Sequence, residues 1–349
     1  MSMLRSLRKP FHVNFEITNR CNYNCKFCSA QLSKYYSNEL STRDVSSIIR
    51  KLVDENVYAL FLTGGEPLLR KDLPIFVKQA INCGMNVCVS TNAVAANKSI
   101  AESLAHAGLD EIQVSIQAPN EIHNEIVGVD GALEAAFEGM DNLIQAGIGV
   151  IVASVGIRRN YRFLPELGRK VAKMGAICYR VLRLMPTSSE MLEELIPHNE
   201  IGLLVKNLID LQEEGVITTD IHTPPGFFGH GYYNPGRYPY ILHAFCGVCT
   251  AGKTTMAILP NGDCTPCIEF KDAGFIGGNI MKQSLSEIWE SKPMSLLRDA
   301  TPDNYQRECG ICPYKWTCYS SRCIAYRFDG DVLGDDCSCY KIREKKKIH

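Results

Sequence analysis

A loop with three closely spaced cysteines constrains this chain most. Cys21, Cys25 and Cys28 are spaced C-x3-C-x2-C and directly follow an apolar, strand-like run at 11–17. Iron–sulfur clusters are normally held by four cysteines. Three thiolates would therefore bind three irons of a 4Fe–4S cluster and leave one iron open, as in a catalytic metal site. A zinc site is the alternative, but zinc sites usually pair two C-x2-C units, and after Cys25-x2-Cys28 no second such unit occurs before residue 246.

The composition is that of an ordinary globular protein. The chain has 349 residues, of which 46% are hydrophobic and 21% charged, with a net charge of −1, enough for one large domain and a smaller one. This charge gives no indication of nucleic-acid or anionic-membrane binding. No apolar run reaches the roughly 18 residues of a membrane span, and the basic start lacks the apolar core of a secretory signal. We expect a cytoplasmic protein, and nothing in the sequence indicates its oligomeric state.

The sixteen cysteines are unevenly distributed along the chain. Ten lie between residues 246 and 339, and in a large chain without a secretory signal metal ligation explains such a density better than disulfides do. Cys83, Cys88 and Cys178 stand alone in apolar runs. We predict that these three are buried, inert thiols.

Strand-like and helix-like runs alternate from residue 11 to 185. Strands are predicted at 11–17, 58–64, 86–90, 111–116, 149–155 and 177–184, and helices at 42–55, 72–82, 98–106, 131–146 and 164–174. Six β/α units predict a parallel sheet, which curls into a barrel with its chemistry at the carboxyl ends of the strands. The predicted fold is α/β, with a barrel of six β/α units followed by a small cysteine-rich domain. The predicted segments are 1–10, 11–185 (the barrel), 186–245 (a bridge) and 246–349.

A second motif follows the second predicted strand, at Gly64-Gly65-Glu66-Pro67. Together with the cysteine loop, in which Phe27 stands beside Cys28, it resembles the radical S-adenosylmethionine (SAM) superfamily. The resemblance implies a partial six-unit barrel, a 4Fe–4S cluster on the three cysteines, and SAM as cosubstrate. It also implies that Gly64–Glu66 lies along the methionine part of SAM, with the Glu66 carboxylate paired to the ammonium.

Other strand ends supply further candidate SAM contacts. Ser90 and Asn92 end the third predicted strand, and Ser115 lies in the fourth. By the same resemblance, Ser115 and Arg158 would contact the ribose and carboxylate of SAM. For Arg158, a solvent-exposed surface position without this role is an equally good interpretation. Many relatives carry arginine where this chain has Val127, which leaves the carboxylate partner open.

The bridge contains a predicted helix at 199–213 and a loop at 223–233 rich in Gly, Pro and aromatic residues. Long loops of this kind are often functional. This one would cover the barrel mouth or contact substrate, or it is a packed surface loop.

The second group of cysteines has its own spacing. Residues 258–267 predict a hairpin that turns at 261–262, and 284–289 predict a capped short helix. The runs Cys249-x12-Gly262-x4-Cys267 and Cys309-x2-Cys312-x5-Cys318 resemble the SPASM extension of radical SAM enzymes, which carries up to two auxiliary 4Fe–4S clusters. The implied ligand sets are Cys309, Cys312, Cys318 and Cys339 for one cluster, and Cys246, Cys249, Cys267 and Cys323 for the other. Cys264 and Cys337 are left as spare thiols, and two structural zinc sites are the alternative.

Features such as the pair Ser321-Arg322 resemble one branch of that family, which includes the maturation enzymes of pyrroloquinoline quinone and mycofactocin and the alternative haem route. The resemblance implies reductive cleavage of SAM to a 5′-deoxyadenosyl radical that abstracts a substrate hydrogen. The predicted activity is oxidative modification or cross-linking of a ribosomal peptide or protein, or alternatively tetrapyrrole side-chain modification. An external one-electron reductant of the flavodoxin or ferredoxin type is implied. A non-enzymatic electron carrier is a further alternative, but a pure carrier needs no open iron.

Overall fold

The computed structural model describes residues 7–28, 38–221, 249–316, 318 and 320–346. Its ten strands form one sheet in the order β10-β9-β8-β1-β2-β3-β4-β5-β6-β7. Every pairing from β8 through β1 to β7 is parallel, while β9 and β10 pair antiparallel. The strands are β1 His12–Glu16, β2 Ala59–Thr63, β3 Asn86–Thr91, β4 Glu111–Ser115, β5 Gly149–Gly156, β6 Cys178–Arg183, β7 Thr218–Ile221, β8 Thr255–Ile258, β9 Asp263–Thr265 and β10 Gly278–Asn279.

Helices connect the parallel strands, as parallel pairing requires. They are α1 Thr42–Asp54, α2 Leu73–Asn82, α3 Lys98–His106, α4 Ile122–Val127, α5 Ala132–Gln145, α6 Leu164–Lys173, α7 Ser189–Glu193 and α8 His198–Glu213. The later helices are α9 Leu285–Trp289, α10 Lys292–Asp299, α11 Arg307–Ile311, α12 Arg322–Asp329 and α13 Tyr340–Lys346. The predicted α/β fold with a partial, open barrel is confirmed. None of the helices that the structure describes has the length and apolar content needed to cross a membrane.

Helix α1 shows how the sequence determines these units. Ser41 accepts a hydrogen bond from the Asp44 backbone N–H, and the Asp44 side chain accepts one from the Ser41 backbone, which forms a capping box. The apolar residues recur at helical spacing and are buried against the sheet: Val45, Ile48, Ile49 and Leu52. The helix therefore starts at its cap and packs through one stripe.

The cysteine-rich segment continues the barrel sheet. Strand β8 pairs in parallel with β1, in the register His12↔Thr255. The predicted hairpin is present as β8 and β9, with Gly262 at a φ of +87° in the turn. Helix α9 begins at Ser284 with a capping box, as predicted. Strand β1, which leads into the three-cysteine loop, therefore lies between β2 of the barrel and β8 of the cysteine-rich segment.

Some expectations need correction or fall outside the described residues. Cys83 is exposed, not buried, because it lies just beyond the C-terminus of α2. Cys88 and Cys178 are only half-buried. The short elements α4, α7 and β7 were not predicted, since none is long enough to show a clear period. The loop 223–233 lies outside the described residues, and the segment boundaries stay predictions.

Candidate functional site

A cavity of about 290 Å³ lies at the carboxyl ends of the barrel strands. Its volume is close to the lower end of the range for small-ligand sites. It brings together nearly all of the residues predicted for the first cluster and SAM: Cys21, Cys25, Phe27, Cys28, Gly64, Gly65, Glu66, Ser90, Asn92 and Ser115. Arg158 is not brought there, because its Nε donates to the Glu193 carbonyl on the outer surface (2.6 Å).

The three thiols of the cysteine loop are close enough to interact electrostatically. Burial raises the pKa of Cys25 to about 12, and the charges of the Cys28 and Cys21 thiolates add to this rise. Cys21 itself is exposed, whereas the other two are half-buried. Three thiolates so placed repel one another, so a positively charged group is needed to hold all three ionised.

Buried polar contacts fix the chain entering this loop. The Glu39 carboxylate accepts hydrogen bonds from Thr18 Oγ1 (2.7 Å) and the Asn19 backbone N–H (2.8 Å). Arg70, which is 7% exposed, donates from Nη1 to the Ile17 carbonyl (2.8 Å). The cysteines therefore follow a backbone that is tied down before the first ligand.

The two glycines after β2 allow a close approach to the same loop. The Gly65 N–H donates to the Thr18 carbonyl (2.8 Å), and the Glu66 N–H donates to the Arg20 carbonyl (2.7 Å). A Cβ on Gly64 would lie 2.4 Å from the Thr18 oxygen, and one on Gly65 would lie 2.2 Å from the Arg20 oxygen. Gly64 also has a φ of +142°, which other residues rarely adopt. The close approach that the structure shows is to the cysteine loop itself.

Glu66 is a buried carboxylate with three neutral donors. Its Oε1 accepts from the Leu68 N–H (2.9 Å) and Thr91 Oγ1 (2.6 Å), and its Oε2 accepts from the Asn92 N–H (2.7 Å). Burial raises the pKa of Glu66, while these hydrogen bonds lower it. The side chain is 1% exposed, so a cationic ligand group beside it would offset the cost of burying the charge.

A chain of polar side chains crosses the concave face of the sheet below Ser90. Gln113 Nε2 donates to Ser90 Oγ (3.2 Å), and Arg180 Nη1 donates to Gln113 Oε1 (2.7 Å). Arg180 Nε donates in turn to Asp220 Oδ2 (2.7 Å). Sequence reasoning missed Gln113, Arg180 and Asp220. The period-2 alternation of the strands, which places them on one face, was the available signal.

A buried ion pair also borders the cavity and was not predicted. Lys271 Nζ lies 2.5 Å from Glu16 Oε1, and both side chains are almost fully buried. Burial raises the pKa of Glu16, and the Lys271 charge opposes that rise. Within the described part of the chain, Glu16 Oε2 has no hydrogen-bond partner. The pair joins β1 to the cysteine-rich segment.

A second cavity, of about 330 Å³, contains four of the other predicted ligands. Its lining includes Cys309, Cys312, Cys318 and Cys339. Asp335 Oδ1 accepts a hydrogen bond from the Cys309 N–H (3.0 Å), so a buried carboxylate orders the backbone of one of them. These residues span some thirty positions of sequence and meet in one place, as a shared cluster requires.

The remaining predicted ligands form a separate group in a small apolar core. Cys249, Cys267 and Cys323 pack in this core. Burial raises the pKa of Cys267 to about 12, and the Cys249 thiolate adds to it. Cys264 is instead buried in the main core. Cys246 lies outside the described residues.

The donor sets suit iron–sulfur clusters, because all of their members are thiols and soft thiolates favour iron–sulfur and zinc sites. Over the described ranges, no three His, Cys, Asp or Glu side chains converge on a single metal ion. The three cysteine groups lie at three separate places, and what matches the predicted clusters is their donor chemistry.

Comparisons with known proteins agree with this arrangement. Residues 15–164 match the model of the radical SAM superfamily, and residues 249–313 match that of the SPASM iron–sulfur cluster-binding domain. An AdoMet-dependent heme synthase of Methanosarcina barkeri is 27% identical, over 99% of this chain and 100% of the relative. Mycofactocin maturase MftC of Mycobacterium tuberculosis is 28% identical, over 96% of this chain and 84% of the relative. The solved structure of native anSMEcpe with bound AdoMet has a TM-score of 0.72 and 16% identity, covering 97% of each chain, and shows the fold.

The chain therefore contains a radical SAM domain and is an enzyme. It also contains a SPASM domain, and its relatives include proteins named heme synthase and mycofactocin maturase, which match the branch that the sequence resembles. These domains imply a SAM-binding 4Fe–4S cluster, SAM, and auxiliary iron–sulfur clusters.

Proposed function

We propose that this enzyme oxidatively modifies or cross-links a ribosomal peptide or protein. When bound, the cluster and SAM would supply a 5′-deoxyadenosyl radical that removes a hydrogen atom from the substrate, and the auxiliary clusters would accept the electron that the substrate radical then gives up. The chain binds and orients both partners and excludes side reactions. Cys21, Cys25 and Cys28 would hold the cluster, and Gly64 to Glu66 would contact the methionine part of SAM. Phe27, Ser90, Asn92 and Ser115 are the other residues assigned to this site.

We infer the class of substrate from the charged side chains that line the cavity. Among the described residues, its charged side chains are three carboxylates and one guanidinium: Glu16, Glu66, Glu269 and Arg183. Lys271 pairs with Glu16, and Arg327 lies 4.0 Å from Glu269. Glu66 is therefore the lining carboxylate that suits the positive sulfonium and ammonium of SAM. Arg183 is the one cation of the described lining, which disfavours a substrate with several carboxylates, since each buried charge needs a partner. The name of the mycofactocin maturase relative also supports a maturase role.

Tetrapyrrole side-chain modification is the second candidate. Relatives named heme synthase match essentially the whole chain, and Arg183 places a cation in the cavity for a carboxylate. The guanidinium contacts Ser321 Oγ of the SPASM segment, so that cation borders both domains.

The two substrates are distinguished by one assay. The reconstituted enzyme, SAM and dithionite are incubated with Fe-coproporphyrin III or with peptides encoded beside the gene. 5′-Deoxyadenosine and the substrate mass are followed by mass spectrometry. A peptide that loses hydrogen mass in step with 5′-deoxyadenosine supports the proposal. Turnover of Fe-coproporphyrin III alone would replace it with the second candidate.

We infer that a small one-electron carrier, of the flavodoxin or ferredoxin type, reduces the first cluster. Cys21 is exposed at the surface of its loop, so such a carrier could approach the first cluster closely at this residue. We also place the enzyme in the cytoplasm, since cluster thiolates persist in a reducing compartment.

Glu66→Gln is expected to weaken SAM binding by about 1–3 kcal/mol, the range for a hydrogen bond to a charged group, with iron content unchanged. The amide loses the charge and turns an N–H₂ towards the N–H of Asn92. Isothermal calorimetry under anaerobic conditions measures the affinity. Thr91→Val is the matched control, because it removes one hydrogen bond to Glu66 but keeps the charge, and it should weaken binding less. Equal SAM affinity of wild type and Glu66→Gln would show that the ammonium contact lies elsewhere.

Single Cys→Ala variants test the auxiliary ligand sets. Cys309→Ala and Cys267→Ala should each lower iron and sulfide by about four per chain, because each set holds one cluster. Cys264→Ala and Cys337→Ala should retain the full content. Loss of a cluster in either of the latter two, with none lost in Cys246→Ala or Cys323→Ala, would contradict the sets.

A further inference from the structure

Arg322 is a fully buried arginine in the cysteine-rich segment. It is 0% exposed and opens helix α12. Its Nη1 donates to the Val332 and Gly334 carbonyls, both at 3.0 Å. Within the described residues, its Nε and Nη2 have no hydrogen-bond partner. Burying a charged group with unsatisfied donors costs free energy of folding. An acceptor from outside the described polypeptide, placed beside Nε and Nη2, would offset this cost.

The surroundings of Arg322 place it between the two auxiliary cysteine groups. Its Cζ lies 4.0 Å from the centre of the Tyr305 ring, and Tyr305 lines the four-cysteine cavity. The next residue, Cys323, belongs to the other group. The ionisable groups that interact electrostatically with the guanidinium are Tyr305, Asp336, Cys309 from the first group and Cys249 from the second. One cation therefore faces ligands of both sets.

Hydrogen bonds to sulfur, net charge and solvent exposure set the reduction potentials of iron–sulfur clusters. Reduction adds one electron, and hence one negative charge, to a cluster. A buried cation nearby stabilises that charge, and a low dielectric strengthens the effect. Arg322 combines a buried charge with two available N–H donors.

We propose that Arg322 tunes both auxiliary clusters, by donating from Nε and Nη2 to their sulfurs and by raising their reduction potentials. This inference rests on the proposed function, in which the auxiliary clusters accept the electron left on an oxidised substrate. It assigns Arg322 a positioning and tuning role, without contact to substrate.

The test is a potentiometric titration of the auxiliary clusters, followed by electron paramagnetic resonance. The background is the Cys21/Cys25/Cys28→Ala protein, whose remaining signals come from the auxiliary clusters alone. Dithionite supplies the electrons. Arg322→Gln removes the charge, whereas Arg322→Lys keeps it. Arg298→Gln is the matched control, because Arg298 is also a buried arginine of this segment but packs over Trp289.

Arg322→Gln should lower the reduction equilibrium constant of both auxiliary clusters tenfold or more, which is about 59 mV for one electron. Arg322→Lys should lower this equilibrium constant less, and Arg298→Gln should leave it unchanged. All three variants should retain about eight irons per chain, the content of two clusters. Potentials of Arg322→Gln equal to those of Arg298→Gln would overturn the proposal. Loss of auxiliary iron in both Arg322 variants would also overturn it, since it would make Arg322 a scaffold residue. Fewer than eight irons in the background protein would instead contradict the cysteine assignment before any Arg322 variant is made.

Discussion

Replacing Cys21, Cys25 and Cys28 together with alanine is expected to abolish reductive cleavage of SAM. The three thiols are the ligands proposed for the cluster that reduces SAM, and they share one cavity with Glu66. Without them the cluster does not assemble, and iron content should fall by about four per chain. The measurement is 5′-deoxyadenosine formation with SAM and dithionite, together with iron analysis.

A single exposed cysteine provides the control for this triple variant. Cys83 is exposed and lies apart from all three cysteine groups, at the end of α2. Cys83→Ala should retain cleavage and iron. Cleavage retained in the triple variant would contradict the assignment of the cysteine loop.

Lys271→Met is expected to lower the free energy of unfolding by about 3–5 kcal/mol, the range for breaking a buried ion pair. The substitution leaves the Glu16 carboxylate buried in β1 without its cation, while Oε2 already lacks a hydrogen-bond partner among the described residues. Urea unfolding, followed by tryptophan fluorescence, to which the buried Trp289 contributes, measures the change once reversibility is established.

Two further variants separate the ion pair from general effects of losing a lysine. Lys206→Met removes the exposed pair with Asp210 and should cost no more than about 1 kcal/mol. The double variant Glu16→Leu, Lys271→Met should recover most of the stability, because apolar groups of similar size often replace a buried pair without loss. A change below about 1 kcal/mol in Lys271→Met would show that the pair adds little.

The sequence was sufficient to predict the barrel and most of the lining of the cavity at the carboxyl ends of its strands. Each strand from β1 to β6 is an apolar run followed by an amphipathic helix, so local periodicity predicts the units. The carboxyl ends of parallel strands meet at one edge, which places the cysteine loop beside Gly64–Glu66 and Ser115. Arg158 follows β5, but its backbone position did not show that the side chain turns outward to Glu193.

Long-range contacts were beyond the reach of sequence patterns. Glu16 and Lys271 lie 255 positions apart, and the pairing of β8 with β1 joins segments almost as distant. Neither leaves a local signal. Arg322 was visible only as part of a family resemblance, since burial of an arginine is set by tertiary packing. Cys83 was misplaced because an apolar helix stripe does not show where the last turn meets solvent.

The iron and sulfide content of the anaerobically reconstituted wild-type chain shows how many of the three cysteine groups hold a cluster. At four irons per cluster, we expect about twelve irons and about twelve sulfides per chain. A content near eight would mean that one auxiliary group holds no cluster. A content near four, or zinc in place of iron at the cysteine-rich segment, would contradict the three-cluster enzyme.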